Sequence, residues 1–150
     1  MYLSTIQKNL TCLGVVLFLL CSCKGSSSSD SETESTYDDM LSTYTLYTVE
    51  SLWQALEDDT DDNGSYVLLK GVLLSVGGGE VTLIDTATDK TVACTFTSDI
   101  DLSSLETVLS NTGSDSTDTV TIGGVCHFYT EGASYPYIDQ CNYFYVNKDG

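Results

Sequence analysis

Arginine is absent from this chain, and its five lysines stand against 22 acidic residues, for a formal net charge of −17. A phosphate-gripping surface needs clustered positive charge, because cation–phosphate contacts supply most of the affinity for a nucleic-acid backbone. Five scattered lysines do not build one. Nucleic acid is therefore disfavoured as a partner, and the acidic excess keeps the chain soluble while repelling polyanions. Histidine occurs once, at His127, and no two cysteines in the body of the chain have C-x-x-C spacing. A structural zinc site then lacks ligands. No Ser-His-Asp, Cys-His or H-E-x-x-H arrangement is visible, and no carboxylate pair has a setting that would shift its pKa. The expectation is a protein that is not an enzyme and takes no cofactor. Proline also occurs once, and no apolar run approaches the ~20 residues of a membrane-spanning helix.

The longest apolar run, residues 10–20, follows a start whose only side-chain cation is Lys8. As a helix it is roughly 16 Å long, too short for a hydrocarbon layer of ~30 Å but of the length of a signal-peptide core. The run ends in "LLCSCKGSSSSD". Lipoprotein signal peptides resemble Leu-x-(small)-Cys, cut just before a cysteine that is then acylated. Cys23 has Leu20 at −3 and Ser22 at −1, whereas Cys21 follows the bulky Leu20. Residues 1–22 are thus expected to leave as the signal, with Cys23 as the lipidated anchor; ordinary secretion with a nearby cut is the plainer alternative. Two or three acyl chains hold a protein on a membrane where one does not. The address is a bacterial cell envelope, on the periplasmic face or at the surface of the outer membrane.

Residues 24–47 are rich in Ser, Thr, Asp and Glu and poor in apolar side chains. Such a composition buries too little surface to order itself, so residues 23–47 read as the lipidated cysteine plus a flexible tether, with one domain at 48–150. That domain opens on "TVESLWQALE". Thr48 suits a helix cap and Glu50 the first turn, while Val49, Leu52, Trp53 and Leu56 form one apolar face. Trp53 reads as a packing anchor. In the loop that follows, Asp59, Asp61, Asn63 and Gly64 match the first half of a calcium loop, but its twelfth position is Lys70 where a bidentate Glu belongs. Asp59, Asp61 and Asn63 are a weak calcium candidate, set against a solvated acidic loop.

Five strand-like runs come next, at residues 66–76, 80–86, 91–96, 119–129 and 135–146, with a helix expected at 101–109 capped by Asp101. The first run changes phase across Gly71, which suggests a bulge that bends one strand around two sides of a barrel. In the fourth run Val120, Ile122, Cys126 and Phe128 alternate inward, and His127 falls on the opposite face as a lone surface histidine. Three strands, a helix and two strands, with a bulge in the first, is the order of an OB-fold barrel. The fold expectation is all-β with a short leading helix: a five-stranded OB-fold barrel carrying a helix between strands 3 and 4. Strands 4 and 5 are neighbours in such a barrel, so Cys126–Cys141 is the favoured disulfide. Cys94–Cys141 is conceivable because strands 3 and 5 adjoin, and three reduced, buried cysteines are the remaining reading.

The segments "VESLWQALE", "LKGVLLSV", "VACTF", "VTIGGVC" and "IDQC", over residues 49–144, resemble a small bacterial family described as similar to the tRNA anticodon-binding OB domain. Its members are often single-domain lipoproteins with a leading helix. The resemblance implies cysteines in the third, fourth and last strands, matching Cys94, Cys126 and Cys141. It implies no catalytic residue. The family description implies single-stranded nucleic-acid binding, which the lack of cations here opposes. Tyrosine is the remaining signal: Tyr129, Tyr135, Tyr137, Tyr143 and Tyr145 crowd the last two strands and offer rigid amphipathic contact area. An envelope protein or glycan, met through those tyrosines, is the expected partner beside the membrane that Cys23 engages.

Overall fold

A computed structural model describes residues 29–59, 62–111 and 118–147, with side chains from residue 35. Cys23, the signal and the first part of the expected tether lie outside the described residues, as does Asp61. The chain divides into two units, Met1–Ser35 and Thr36–Gly150, and every contact described below lies within the second. Its elements are α1 (Ser29–Thr43, which begins in the first unit), β1 (Thr45–Thr48), α2 (Val49–Glu57), β2 (Tyr66–Gly77), β3 (Glu80–Ile84), β4 (Thr91–Phe96), α3 (Ser103–Asn111), β5 (Thr119–Tyr129) and β6 (Tyr135–Asn147).

The five strands β2 to β6 close into a barrel in the order β2-β3-β4-β6-β5, with β5 returning to β2. Only the β4–β6 seam is parallel; the other four seams are antiparallel. With α3 between the third and fourth barrel strands, this is the all-β, OB-type barrel with a short leading helix that the pattern implies. β-branched and leucine side chains at alternate positions fill it: Val67, Leu69, Val81, Leu83, Val92, Val120, Ile122 and Ile138 are buried, joined by Cys94, Cys126 and Cys141. Two helices close over this core. In α2, Val49 and Leu52 are buried, and Trp53 packs beside them while its indole N–H donates to the Thr91 carbonyl at 3.0 Å. In α3, Leu105 is buried. Both caps follow their sequences. Thr48 accepts from the Ser51 N–H at 3.1 Å while Ser51 Oγ accepts from the Thr48 N–H at 2.8 Å, a reciprocal capping box. Asp101 accepts from the Ser103 N–H at 2.9 Å, and that bond holds its carboxyl below the usual range.

Two expectations are corrected. First, the bulge in β2 lies not at Gly71 but at Leu74: Leu73 faces Leu83, Ser75 faces Thr82, and Leu74 between them is exposed. Gly71 serves close packing instead. A Cβ there would stand 2.9 Å from Val49 Cγ2 and 3.0 Å from Leu83 Cβ, so the glycine lets α2 and β3 converge on β2. Second, the tether is shorter than composition implies, because residues 36–47 belong to the folded unit. β1 adds a sixth strand, pairing parallel with β2 from Thr45 opposite Val67 to Thr48 opposite Lys70. Tyr37 stacks on Tyr145 with ring centroids 4.3 Å apart and planes 7° from parallel, and its hydroxyl meets Thr121 Oγ1 at 3.3 Å. Tyr44 packs on Tyr66 at 4.5 Å. Average composition missed this because a few rings of large area and one backbone ladder order a segment whose other side chains face water.

Candidate binding face

Beyond the barrel interior, the outward side chains of β5 and β6 form a ladder near their connecting turn. His127 faces Tyr137 and Tyr129 faces Tyr135 in the strand register. Period-two alternation therefore puts all four rings on one side, opposite Cys126, Phe128, Pro136 and Ile138. The His127 and Tyr137 rings stack at 5.1 Å, Tyr129 and Tyr135 at 5.0 Å, and Tyr135 and Tyr137 stand 6.3 Å apart at a tilt of 50°. Tyr129 and Tyr135 are exposed. Cross-strand aromatic pairs of this kind stabilise a hairpin and hold the rings against one another.

The register carries this face across the sheet. Tyr137 lies beside Ala93 of β4, and Ala93 beside Thr82 of β3. Thr82, Ala93, Tyr137 and His127 thus stand abreast on four adjacent strands, a strip about 14 Å wide at the usual strand spacing. Ala93 contributes a single methyl group, so the strip is shallow between Thr82 and the Tyr137 ring. Glu80 on β3 and Asp139 on β6 share the outward side by alternation. The described lysines sit elsewhere, Lys70 on β2 and Lys90 5.8 Å over the Trp53 ring. The strip offers rings, hydroxyls and carboxylates, but no lysine among the described residues.

Of the five tyrosines singled out from the sequence, Tyr129, Tyr135 and Tyr137 come together on this face. Tyr143 and Tyr145 do not. Gln140 takes a left-handed φ of 51°, and the β5–β6 register shifts between Gly123 and Val125. Beyond that break Tyr143 faces Gly123 and Tyr145 faces Thr121, with Tyr145 stacked under Tyr37. The Tyr143 hydroxyl is buried without a hydrogen-bond partner among the described residues, and burial pushes it up to about 12. The member that sequence reasoning missed is His127, set aside as a lone surface residue. Its signal is the spacing: His127 and Tyr129 on one strand, Tyr135 and Tyr137 on the next, all two apart around a short turn.

Of the calcium candidate, Asp61 lies outside the described residues, while Asp59 and Asn63 are described. The Asn63 side-chain oxygen accepts from the Phe128 N–H at 3.2 Å, and Asp62 accepts from the Tyr47 hydroxyl. These bonds tie Asp62 to β1 and Asn63 to β5. Asp59, at a left-handed φ of 52°, is the turn residue after α2. Among the described residues no group of three or more His, Cys, Asp or Glu side chains is placed to hold a metal ion.

The favoured Cys126–Cys141 disulfide is also not formed; Cys94, Cys126 and Cys141 are buried free thiols. The cause is register. Cys126 faces Ile138, three residues short of Cys141, and Cys141 Sγ instead lies over Gly124, 2.8 Å from where a Cβ there would be. Burial first, and then the Asp62 charge, pushes the Cys126 thiol up to about 12, so it is no nucleophile near neutrality.

No family model matches the chain, and no curated protein is significantly similar to it.

Proposed function

We propose that this chain is a non-catalytic binding module, held on a bacterial cell-envelope membrane by a lipidated Cys23, which meets an envelope protein or glycan through the outward ends of β5 and β6. The observation that carries the reading is the four-ring ladder of His127, Tyr137, Tyr129 and Tyr135, continuous with Ala93 and Thr82. OB barrels commonly bind on the face of their second and third strands and on the loop between the fourth and fifth, here β3, β4 and residues 130–134. Preformed aromatic surface suits sugars and protein anchors alike.

The test is in-cell crosslinking with a photo-reactive residue in place of Tyr137, and the same residue in place of Tyr143 as the covered control. Capture from position 137 that disappears with Tyr135→Ala supports the reading. Equal capture from both positions, or none from 137, overturns it. Anchoring is tested separately by Cys23→Ala, which should abolish palmitate labelling. Single-stranded nucleic acid is the second reading, since the ladder adjoins the strands and loop that OB barrels use for oligonucleotides; the absence of described cations from the strip argues against it. Oligonucleotide affinity that falls steeply with salt would establish that reading, and no binding at low salt would eliminate it.

A further inference from the structure

The outward side chains of β4 form the floor of a trough. Thr91, Ala93 and Thr95 alternate with the buried Val92, Cys94 and Phe96, and all three are small. On one side stands β6. Tyr137 lies beside Ala93, the same offset sets Tyr135 level with Thr91, and Asp139 follows opposite Thr95, where the register shifts. On the other side β3 sets Ile84 beside Thr91, Thr82 beside Ala93 and Glu80 beside Thr95. The β3 and β6 backbones are two strand spacings apart, roughly 10 Å, wide enough for one extended chain. His127 covers the Tyr137 ring from the β5 side, so the other face of that ring is turned towards β4, over Ala93. Tyr135 and Tyr137 thus wall one end of the trough, and the carboxylates of Asp139 and Glu80 flank the other. The Asp139 carboxylate accepts from the Gln140 N–H at 2.7 Å, which steadies it, and Glu80 is exposed. Lys90 precedes Thr91, but its ammonium lies 5.8 Å over the Trp53 ring. Among the described residues, then, the trough presents ring faces and negative charge.

We infer that this trough takes an extended, basic segment of a partner protein lying along β4, an inference that rests on the ladder face being a binding site and names the chemistry of its partner. Charge complementarity selects the occupant. A polyanion is repelled by a chain with a net charge of −17. A neutral glycan can stack on the rings but leaves the two carboxylates without a counterpart. A cationic side chain answers both, since it is drawn to the face of a tyrosine ring and to a carboxylate. The spacing fits as well. Tyr137 and Asp139 are two residues apart on one strand, about 7 Å, and side chains i and i+2 of an extended peptide repeat at the same interval. One cation therefore lies over the Tyr137 ring while the next reaches Asp139 and Glu80. Arginine suits the site better than lysine, because its flat guanidinium stacks on rings and forks onto carboxylates. The net charge also steers a basic partner from a distance, so association should be fastest at low salt.

The experiment is fluorescence anisotropy of the full chain at low salt with a labelled peptide of alternating Arg and Ser. A second peptide carries neutral citrulline at every Arg position. The Arg peptide should bind roughly tenfold more tightly than the citrulline peptide, and this comparison needs no variant to fold. Glu80→Gln combined with Asp139→Asn should weaken the Arg peptide roughly tenfold, and Tyr137→Leu roughly threefold. Glu57→Gln combined with Glu106→Gln, on α2 and α3, removes the same charge and should change binding by less than about twofold. Equal affinity for the two peptides, equal weakening by the two double variants, or no binding of the Arg peptide overturns the inference. Binding of a neutral N-acetylglucosamine oligomer that is lost with Tyr135→Ala, or in-cell capture from position 137 that survives Glu80→Gln with Asp139→Asn, also overturns it while leaving the ladder a binding face. No capture from position 137 overturns both.

Discussion

The tyrosines of this domain fall into two groups with the same chemistry and opposite situations. Tyr129, Tyr135 and Tyr137, with His127, stand open on one end of the β5–β6 pair. On the other end of the same strand Tyr145 lies beneath Tyr37 and the Tyr143 hydroxyl is buried, and beside them Tyr44 covers Tyr66, whose hydroxyl donates to Asn142 at 2.6 Å. The break at Gln140 separates the two ends. Strand propensity and aromatic content are alike in both, so neither separates packing from binding. What separates them is whether another part of the chain lies on top. The covered group holds residues 36–47 to the barrel; the open group stacks on itself, and two of its rings, Tyr129 and Tyr135, are exposed.

The sharpest way to break the comparison is alkaline pH, because it attacks the covered group through its hydroxyls. Tyr47, Tyr66 and Tyr143 are each pushed up to about 12, burial being the first cause in all three; for Tyr47 the Asp62 contact adds to it. A tyrosine in the unfolded chain ionises near pH 10. The folded state therefore binds more protons between about 10 and 12, and stability present below pH 10 is lost as pH rises through that window. Chemical denaturation at a series of pH values should show the decline. Tyr143→Phe should blunt it and, by removing a buried hydroxyl with no partner, leave the protein at least as stable at neutral pH.

The next largest effect is expected at Gly124. A Cβ there would stand 2.6 Å from Ile138 Cγ2, 2.8 Å from the Asp139 carbonyl oxygen and 2.8 Å from Cys141 Sγ. Backbone cannot give way as a flexible side-chain end can, so Gly124→Ala should cost roughly 2–3 kcal/mol, the upper part of the overpacking range. At Gly123 the closest atom is the Tyr66 hydroxyl at 2.5 Å, a side-chain tip that can swing. Gly123→Ala should therefore cost less, and urea midpoints with unchanged slopes would check the order.

Between these glycines lies the divide between what the sequence made legible and what it did not. The inward set Val120, Ile122 and Cys126 follows from alternation, as do the caps at Thr48 and Asp101 and the strand–helix order that closes an OB-type barrel. All of these are local. Gly71 was legible as special but not as a contact point, because Val49 and Leu83 reach it from distant parts of the chain. The ladder was legible only as a crowd of five tyrosines. Splitting them needs the phase change near Gln140, a non-glycine residue at positive φ that no local pattern announces. β1 was invisible because its four residues, mostly exposed, earn their place by pairing with β2.

Removing the cover tests the same division more gently. Tyr37→Ala should take away the stack on Tyr145 and the contact with Thr121, at a cost of about 1–2 kcal/mol. Residues 36–47 should then exchange their amide hydrogens faster than the barrel strands do. Uniform exchange across residues 36–147 in the variant would show that this segment does not depend on the ring.

The smallest effect on stability is expected where the effect on binding is largest. Tyr135→Ala removes an exposed ring whose contacts are cross-strand stacking with Tyr129 and a tilted approach to Tyr137. Pairs of this kind are worth roughly 0.2–1 kcal/mol, and no buried polar atom loses a partner. The urea midpoint of Tyr135→Ala should lie close to that of the parent, while capture of a partner from position 137 is lost. A destabilisation as large as that of Tyr37→Ala would instead place the open rings among the packing residues, and the distinction between the two groups would collapse into one aromatic surface differing only in exposure.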